Sequence, residues 1–112
     1  MEVLFKDSKL HRLCCAEKEC VRKWGPVNGK KIMQRLAELR AAETLADFMR
    51  LPQARCHALT SDRKGQFAAD VKHPRRLILE PADEPVPRRA DGAIDPDRVA
   101  KVRVIEIIDY HG

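Results

Sequence analysis

The sequence predicts an α+β domain: an N-terminal strand and an antiparallel helix hairpin on one face of a mainly antiparallel sheet of about four to five strands. Three observations carry that expectation. Apolar residues at helical spacing occur before residue 46 and hardly after it. The rest of the chain holds short alternating or β-branched runs between turn residues. Helices first and strands in a run argue against alternating βαβ units.

Glu2–Phe5 (EVLF) is short and apolar and reads as the first strand. Asp7 and Ser8 can cap the helix that follows. Leu10, Leu13, Cys14, Val21 and Trp24 share one face of it, with Lys9, Arg12, Glu19 and Lys23 outside. Gly25-Pro26 ends that helix and opens the next, because glycine suits the left-handed cap and proline the first helical position. The second helix is expected from about Val27 to Leu45, with Ile32, Met33, Leu36, Leu39 and Ala42 as its stripe. A connection this tight makes the two helices antiparallel.

Arg55–Leu59 is expected as a short strand, and Ser61–Gly65 (SDRKG) as a turn with a basic tip. Gln66–Lys72 alternates, placing Phe67, Ala69 and Val71 on one face, and His73-Pro74 breaks it. Arg76–Glu80 is a further strand. The stretch 81–98 holds four prolines and many charges and reads as an irregular loop. Lys101–Tyr110 (KVRVIEIIDY) is the strongest strand signal, apolar on both faces as an interior strand should be. The helix hairpin covers one face of this sheet and leaves the other as a working surface.

The chain has 112 residues, enough for a single domain spanning 1–112. Folded, it should expose about 6,300 Å². No apolar run is long enough to span a bilayer, and no charged n-region with an apolar stretch opens the chain, so a cytoplasmic location is expected. Cys14, Cys15 and Cys20 crowd one stretch, and no Cys/His spacing fits a zinc site; free thiols are expected. The net charge is +5. Most of it lies in 55–76, where Arg55, Arg63, Lys64, Lys72, Arg75 and Arg76 face only Asp62 and Asp70. The loop 81–98 runs acidic.

Bases, two imidazoles (His57, His111) and a phenol (Tyr110) suit phosphodiester cleavage without a metal. A base takes the 2′-hydroxyl proton of RNA, cations hold the extra charge on phosphorus oxygens, and an acid protonates the leaving 5′-oxygen. No phosphate-binding glycine loop or metalloprotease motif occurs. The aromatics are few and mostly needed in the core, so the chain cannot build a large stacking platform for free RNA. If the chain acts on RNA, something else is expected to present the substrate.

MEVLF, then KIMQRLAELRAA, RCHALTSDRKGQF, DVKHPRRLILEPA and VIEIIDYH, in that order over nearly the whole chain, resemble the RelE/ParE toxin superfamily. The nearest resemblance is to HigB-type toxins of type II toxin–antitoxin systems. H-x-L, R-K-G-Q and R-L-I-x-E-P are specific in combination. The resemblance implies a RelE-like fold and a ribosome-dependent mRNA endoribonuclease that needs no metal and no cofactor. Its partners would be a cognate antitoxin protein, the ribosome and mRNA, with no membrane.

Carried over by position, His57 matches the family's histidine after the second helix. Arg76 matches the arginine at the scissile phosphate. Asp109, Tyr110 and His111 match the C-terminal Asp-Tyr-His, with the histidine and tyrosine in proton transfer and the aspartate in positioning. Arg55, Arg63, Lys64, Lys72 and Arg75 hold the RNA backbone in this reading. Thr60 stands where relatives often place a lysine, and Arg75 where an aromatic often precedes the arginine. The 81–98 loop, absent from the smallest relatives, is expected to face away from RNA. Two other readings share the fold: a ParE-type inhibitor of DNA gyrase, and a non-catalytic antitoxin or regulator.

Overall fold

The computed structural model describes residues 1–109. Its strands are β1 (Glu2–Phe5), β2 (His57–Ala58), β3 (Phe67–Asp70), β4 (Arg75–Pro81) and β5 (Lys101–Asp109). Its helices are α1 (Ser8–Cys15), α2 (Glu17–Ala41) and α3 (Leu45–Met49). The strands form one five-stranded sheet in the order β1-β5-β4-β3-β2. β1 runs parallel to β5, and every other pairing is antiparallel. The expected α+β architecture is therefore present. The accessible surface, 6636 Å², is close to the value expected for this length.

Asp7 caps α1 as expected, its Oδ1 accepting the Leu10 amide at 2.8 Å. The first helix nevertheless breaks at Ala16, whose backbone is extended. In one unbroken helix Cys20 would lie about 120° around from Cys14. The break turns both sulfurs inside, where each residue is fully buried. Glu17 and Glu19 then sit in the first turn of α2, against its positive end.

Gly25 (φ +90°) turns the chain inside α2, and Pro26 restarts the helix, as its sequence predicts. In a straight helix residues 21 and 29 would stand about 12 Å apart. Here they touch, which makes the two halves of α2 the expected hairpin. A Cβ on Gly29 would lie 2.8 Å from Val21 Cγ2 and 2.9 Å from Val21 Cα. Gly29→Ala therefore forces backbone apart. It should lower stability by about 1–3 kcal/mol by thermal melt, despite alanine's helix preference of about 1 kcal/mol.

The second helix stops at Ala41 rather than Leu45. Thr44 starts a new short helix, its Oγ1 accepting the Asp47 amide at 3.3 Å. α3 was not expected; its turn lets Leu45 and Phe48 both bury completely. They join Ile32, Leu36 and Leu39 against Phe67, Ala69, Leu77, Leu79, Val102 and Val104 of the sheet. Phe67, Ala69 and Val71 share this core, as their alternation predicts. β2 is shorter than expected, only His57–Ala58.

The segment 82–100 is irregular apart from an Arg88–Ile94 bridge. It is tied down: Leu45 and Ala46 donate their amides to Val99 and Pro96, and Asp83 accepts the Ala100 and Lys101 amides. Asp95 has its acidity increased first by the Arg98 hydrogen bond. The segment leaves β4 at Pro81, roughly 20 Å along the strand from Arg75.

All four cysteines are free; Cys15 is exposed and the other three are buried. Burial pushes Cys14 and Cys56 up to about 12 and Cys20 up to about 11, with neighbouring sulfurs adding at Cys14 and Cys20. The folded state thus favours the neutral thiols. Unfolded thiols ionise from about pH 9, so this stabilising contribution is complete below that pH and is lost as pH rises toward the folded values. Urea midpoints should fall between pH 8.5 and pH 10.5 more in the wild type than in a Cys56→Ala variant (pH values on the order of the thiol range). Equal falls would show that Cys56 is not part of the effect.

Candidate functional site

The sheet face away from the helices is built by cross-strand register. Residues directly opposite each other point to the same side. His57 pairs with Ala68, Ala68 with Ile78, and Ile78 with Glu106, giving one row across four strands. The next row is Asp70, Arg76 and Ile108. Ala68 and Ile78 are fully buried beneath the charged side chains of this face. By strand spacing, the Cα atoms of His57 and Arg76 stand roughly 12 Å apart, within reach of one another's side chains through a bound phosphodiester.

His57 is exposed, and its Nδ1 lies 3.0 Å from the Arg55 carbonyl oxygen. A carbonyl oxygen only accepts, so Nδ1 is the nitrogen that carries hydrogen. In the neutral ring this leaves Nε2 with the lone pair, free to accept a proton. Arg55 makes this possible with a left-handed backbone (φ +45°), a conformation uncommon for a residue with a Cβ. Its turn is held from below. Arg35, 3% exposed, donates from Nε to the Asp70 carbonyl at 2.7 Å and from Nη2 to the Gln53 carbonyl at 2.9 Å. The Asp70 amide in turn donates to the Ala54 carbonyl at 2.7 Å.

Asp70 joins two of the candidate cations. Its Oδ1 lies 3.4 Å from Arg76 Nε and its Oδ2 3.5 Å from Arg55 Nε. Arg75 and Asp109, on paired strands, meet at 3.6 Å, but by register they lie on the side of Leu77 and not on the face of His57 and Arg76. Arg63 reaches Glu106 at 2.9 Å and Gln66 at 2.9 Å. Lys64 and Lys72 are exposed and make no ion pair among the described residues. Partly exposed pairs of this kind are each worth about 0–1 kcal/mol, so an incoming anion can exchange with the carboxylate. Tyr110 and His111 lie outside the described residues.

Beside His57 a concavity of about 460 Å³ opens between β2 and a 3-10 turn over Ser61–Arg63. A smaller hollow of about 280 Å³ lies by β1 and the start of α1. Among the described residues, no group of three or more His, Cys, Asp or Glu stands together as a metal-binding set. No described helix is long and apolar enough to cross a membrane.

Asp70, Glu106 and Arg35 were not among the expected site residues. Two of them had a sequence signal. Glu106 interrupts an apolar strand (VIEII), so it needs a partner on its face. Arg35 sits one residue before Leu36 within the apolar stripe of its helix, where a cation must find buried acceptors. Asp70 had none, because its pairing depends on which strand lies next to β3.

No protein-family model matches this sequence, and no curated protein matches it. Among solved structures, the chain is similar to a YoeB/ParE toxin from Agrobacterium tumefaciens, at 11% identity and a TM-score of 0.57. The likeness covers 99% of this chain and 100% of that one. At that identity the comparison shows an architecture held in common: this chain has an α+β fold similar to that toxin's from end to end.

Proposed function

We propose that this protein is the toxin of a type II toxin–antitoxin pair and cuts mRNA on the ribosome. The observation that carries the reading is His57: an exposed imidazole, anchored through Nδ1 at the Arg55 carbonyl, on the sheet face that also bears Arg76. In the proposed reaction Nε2 takes the proton of a ribose 2′-hydroxyl. The 2′-oxygen then bonds to phosphorus, and the bond from phosphorus to the 5′-oxygen breaks. A 2′,3′-cyclic phosphate and a 5′-hydroxyl result. Arg76 and Arg55, aligned by Asp70, neutralise the charge that develops on the phosphorus oxygens. His111, assisted by Tyr110, is proposed to protonate the leaving oxygen; Asp109 is proposed to position them. Arg63, Lys64, Lys72 and Arg75 are proposed to hold the backbone.

Two features support dependence on the ribosome. Trp24, Phe48 and Phe67 are buried and Phe5 is half-buried, so they offer free RNA no stacking platform. RNA must also displace carboxylates from Arg55 and Arg63. A substrate already held in place loses less freedom on meeting such a face. The fold and this charged face also support a cognate antitoxin that covers the site until it is removed.

The test is a cell-free translation reaction with added protein, its mRNA 5′ ends mapped by primer extension, beside a tube of the same mRNA without ribosomes. New ends in the translating tube alone are the expected result. Intact mRNA together with loss of DNA supercoiling in a purified gyrase reaction would replace this reading with gyrase inhibition. Inertness in both would leave a non-catalytic regulator.

A further inference from the structure

We infer that the concavity beside His57 is a nucleobase site that prefers guanine, with the Asp62 carboxylate as its reader. The inference rests on the nuclease reading and names the base that reading leaves open.

The cavity wall is a rigid turn. Arg63 donates its amide to the Thr60 carbonyl at 3.1 Å, Lys64 to Ser61 at 3.1 Å and Gln66 to Arg63 at 3.0 Å. The Leu59 amide closes the hairpin on the Gln66 carbonyl at 2.9 Å. The Arg63 guanidinium pins the turn to β5 through Glu106. Ser61 adopts a left-handed backbone (φ +57°), a conformation held only where the surroundings enforce it. A volume of about 460 Å³ lies within the range of small-ligand sites.

Asp62 differs from the other acids of this region. Asp70, Glu106 and Asp109 each face an arginine. Asp62 is exposed and lines the cavity, and its carboxylate makes no hydrogen bond or ion pair among the described residues. Such a group repels a phosphate, so it is unsuited to the RNA backbone. It accepts N–H groups, which only a base supplies here. An ionised carboxylate offers two oxygens side by side. Guanine presents N1–H and the 2-amino group side by side on its Watson–Crick edge, which RNA-reading proteins use when a base is unstacked. Adenine and cytosine each offer one amino group there, and uracil one N–H. Only guanine satisfies both oxygens at once. The half-buried Leu59 supplies an apolar wall for the ring, and the position beside His57 sets that base next to the proposed scissile bond.

Two measurements test this on the intact protein. In cell-free translation of an mRNA with randomised codons, wild-type cuts should be enriched for guanine at one position flanking the break. Asp62→Asn should lower the guanine-to-adenine ratio there by roughly tenfold, the scale of a lost two-bond base contact. Separately, guanosine monophosphate should shift the amide resonances of residues 59–63 at concentrations where adenosine monophosphate does not, and Asp62→Asn should erase that difference. Equal shifts with both nucleotides, or a cut profile unchanged in Asp62→Asn, overturns the inference. Selective guanosine shifts with intact mRNA would uphold the base site while removing the nuclease reading.

Discussion

Replacing His57 with alanine is expected to slow mRNA cutting on the ribosome by about 10²–10⁴-fold, the usual contribution of a single general base. The protein should stay folded. The side chain is exposed, and its one hydrogen bond, to the Arg55 carbonyl, is local and lies next to water. A surface change of this kind typically alters stability by no more than about 0.5 kcal/mol. Thermal melts of the variant and the wild type should therefore coincide while single-turnover cleavage rates separate. His57→Gln makes the argument sharper. Glutamine can restore a hydrogen bond to Arg55 but cannot take up a proton near neutral pH. It should be as slow as the alanine variant. If either variant cuts at the wild-type rate, His57 is not the base.

The parts of the fold that sequence made legible depend on local chemistry. Gly25-Pro26 marks the turn of the hairpin because both residues have narrow backbone preferences. Phe67, Ala69 and Val71 announce the buried side of β3 by strict alternation. The parts that were not legible depend on distant partners. Ala16 is an ordinary helix former, and the chain breaks there because Cys14 and Cys20 must both reach one core. α3 exists because the 82–100 segment offers it acceptors at Val99 and Pro96. The site follows the same division. Its cations were visible as a basic stretch. Their arrangement was not, because Arg76 meets Arg55 across Asp70, and Arg63 meets Glu106, only once the order β5-β4-β3-β2 is known. Sequence suggests an open basic patch; register turns it into a face of paired charges, with Lys64 and Lys72 left outside the pairs.

The second large effect lies beneath that face, at Arg35. Arg35→Met should destabilise the protein by about 3 kcal/mol, reckoned as two charged hydrogen bonds to part-buried backbone carbonyls at about 1.5 kcal/mol each. For a domain of this size the melting temperature should fall by roughly 12 °C. The loss centres on the carbonyls and less on the ion pair. Glu38, which Arg35 meets at 3.1 Å, also accepts from Gln34 at 3.2 Å and Gln53 at 2.9 Å, and it remains partly exposed. Glu38→Gln should therefore cost about 1 kcal/mol or less. Lysine at position 35 should rescue little, since one ammonium cannot match the two-direction fork that joins Asp70 to Gln53. The consequence reaches the site because both carbonyls belong to the frame that holds Arg55 left-handed and His57 in place. Arg35→Met should thus also weaken cleavage at temperatures well below its melting point, when the fold as a whole is intact. A variant that melts within about 2 °C of the wild type would show that water replaces the guanidinium at those carbonyls without loss. A variant that melts early but cuts normally would show that the Arg55 turn holds its shape without support from α2.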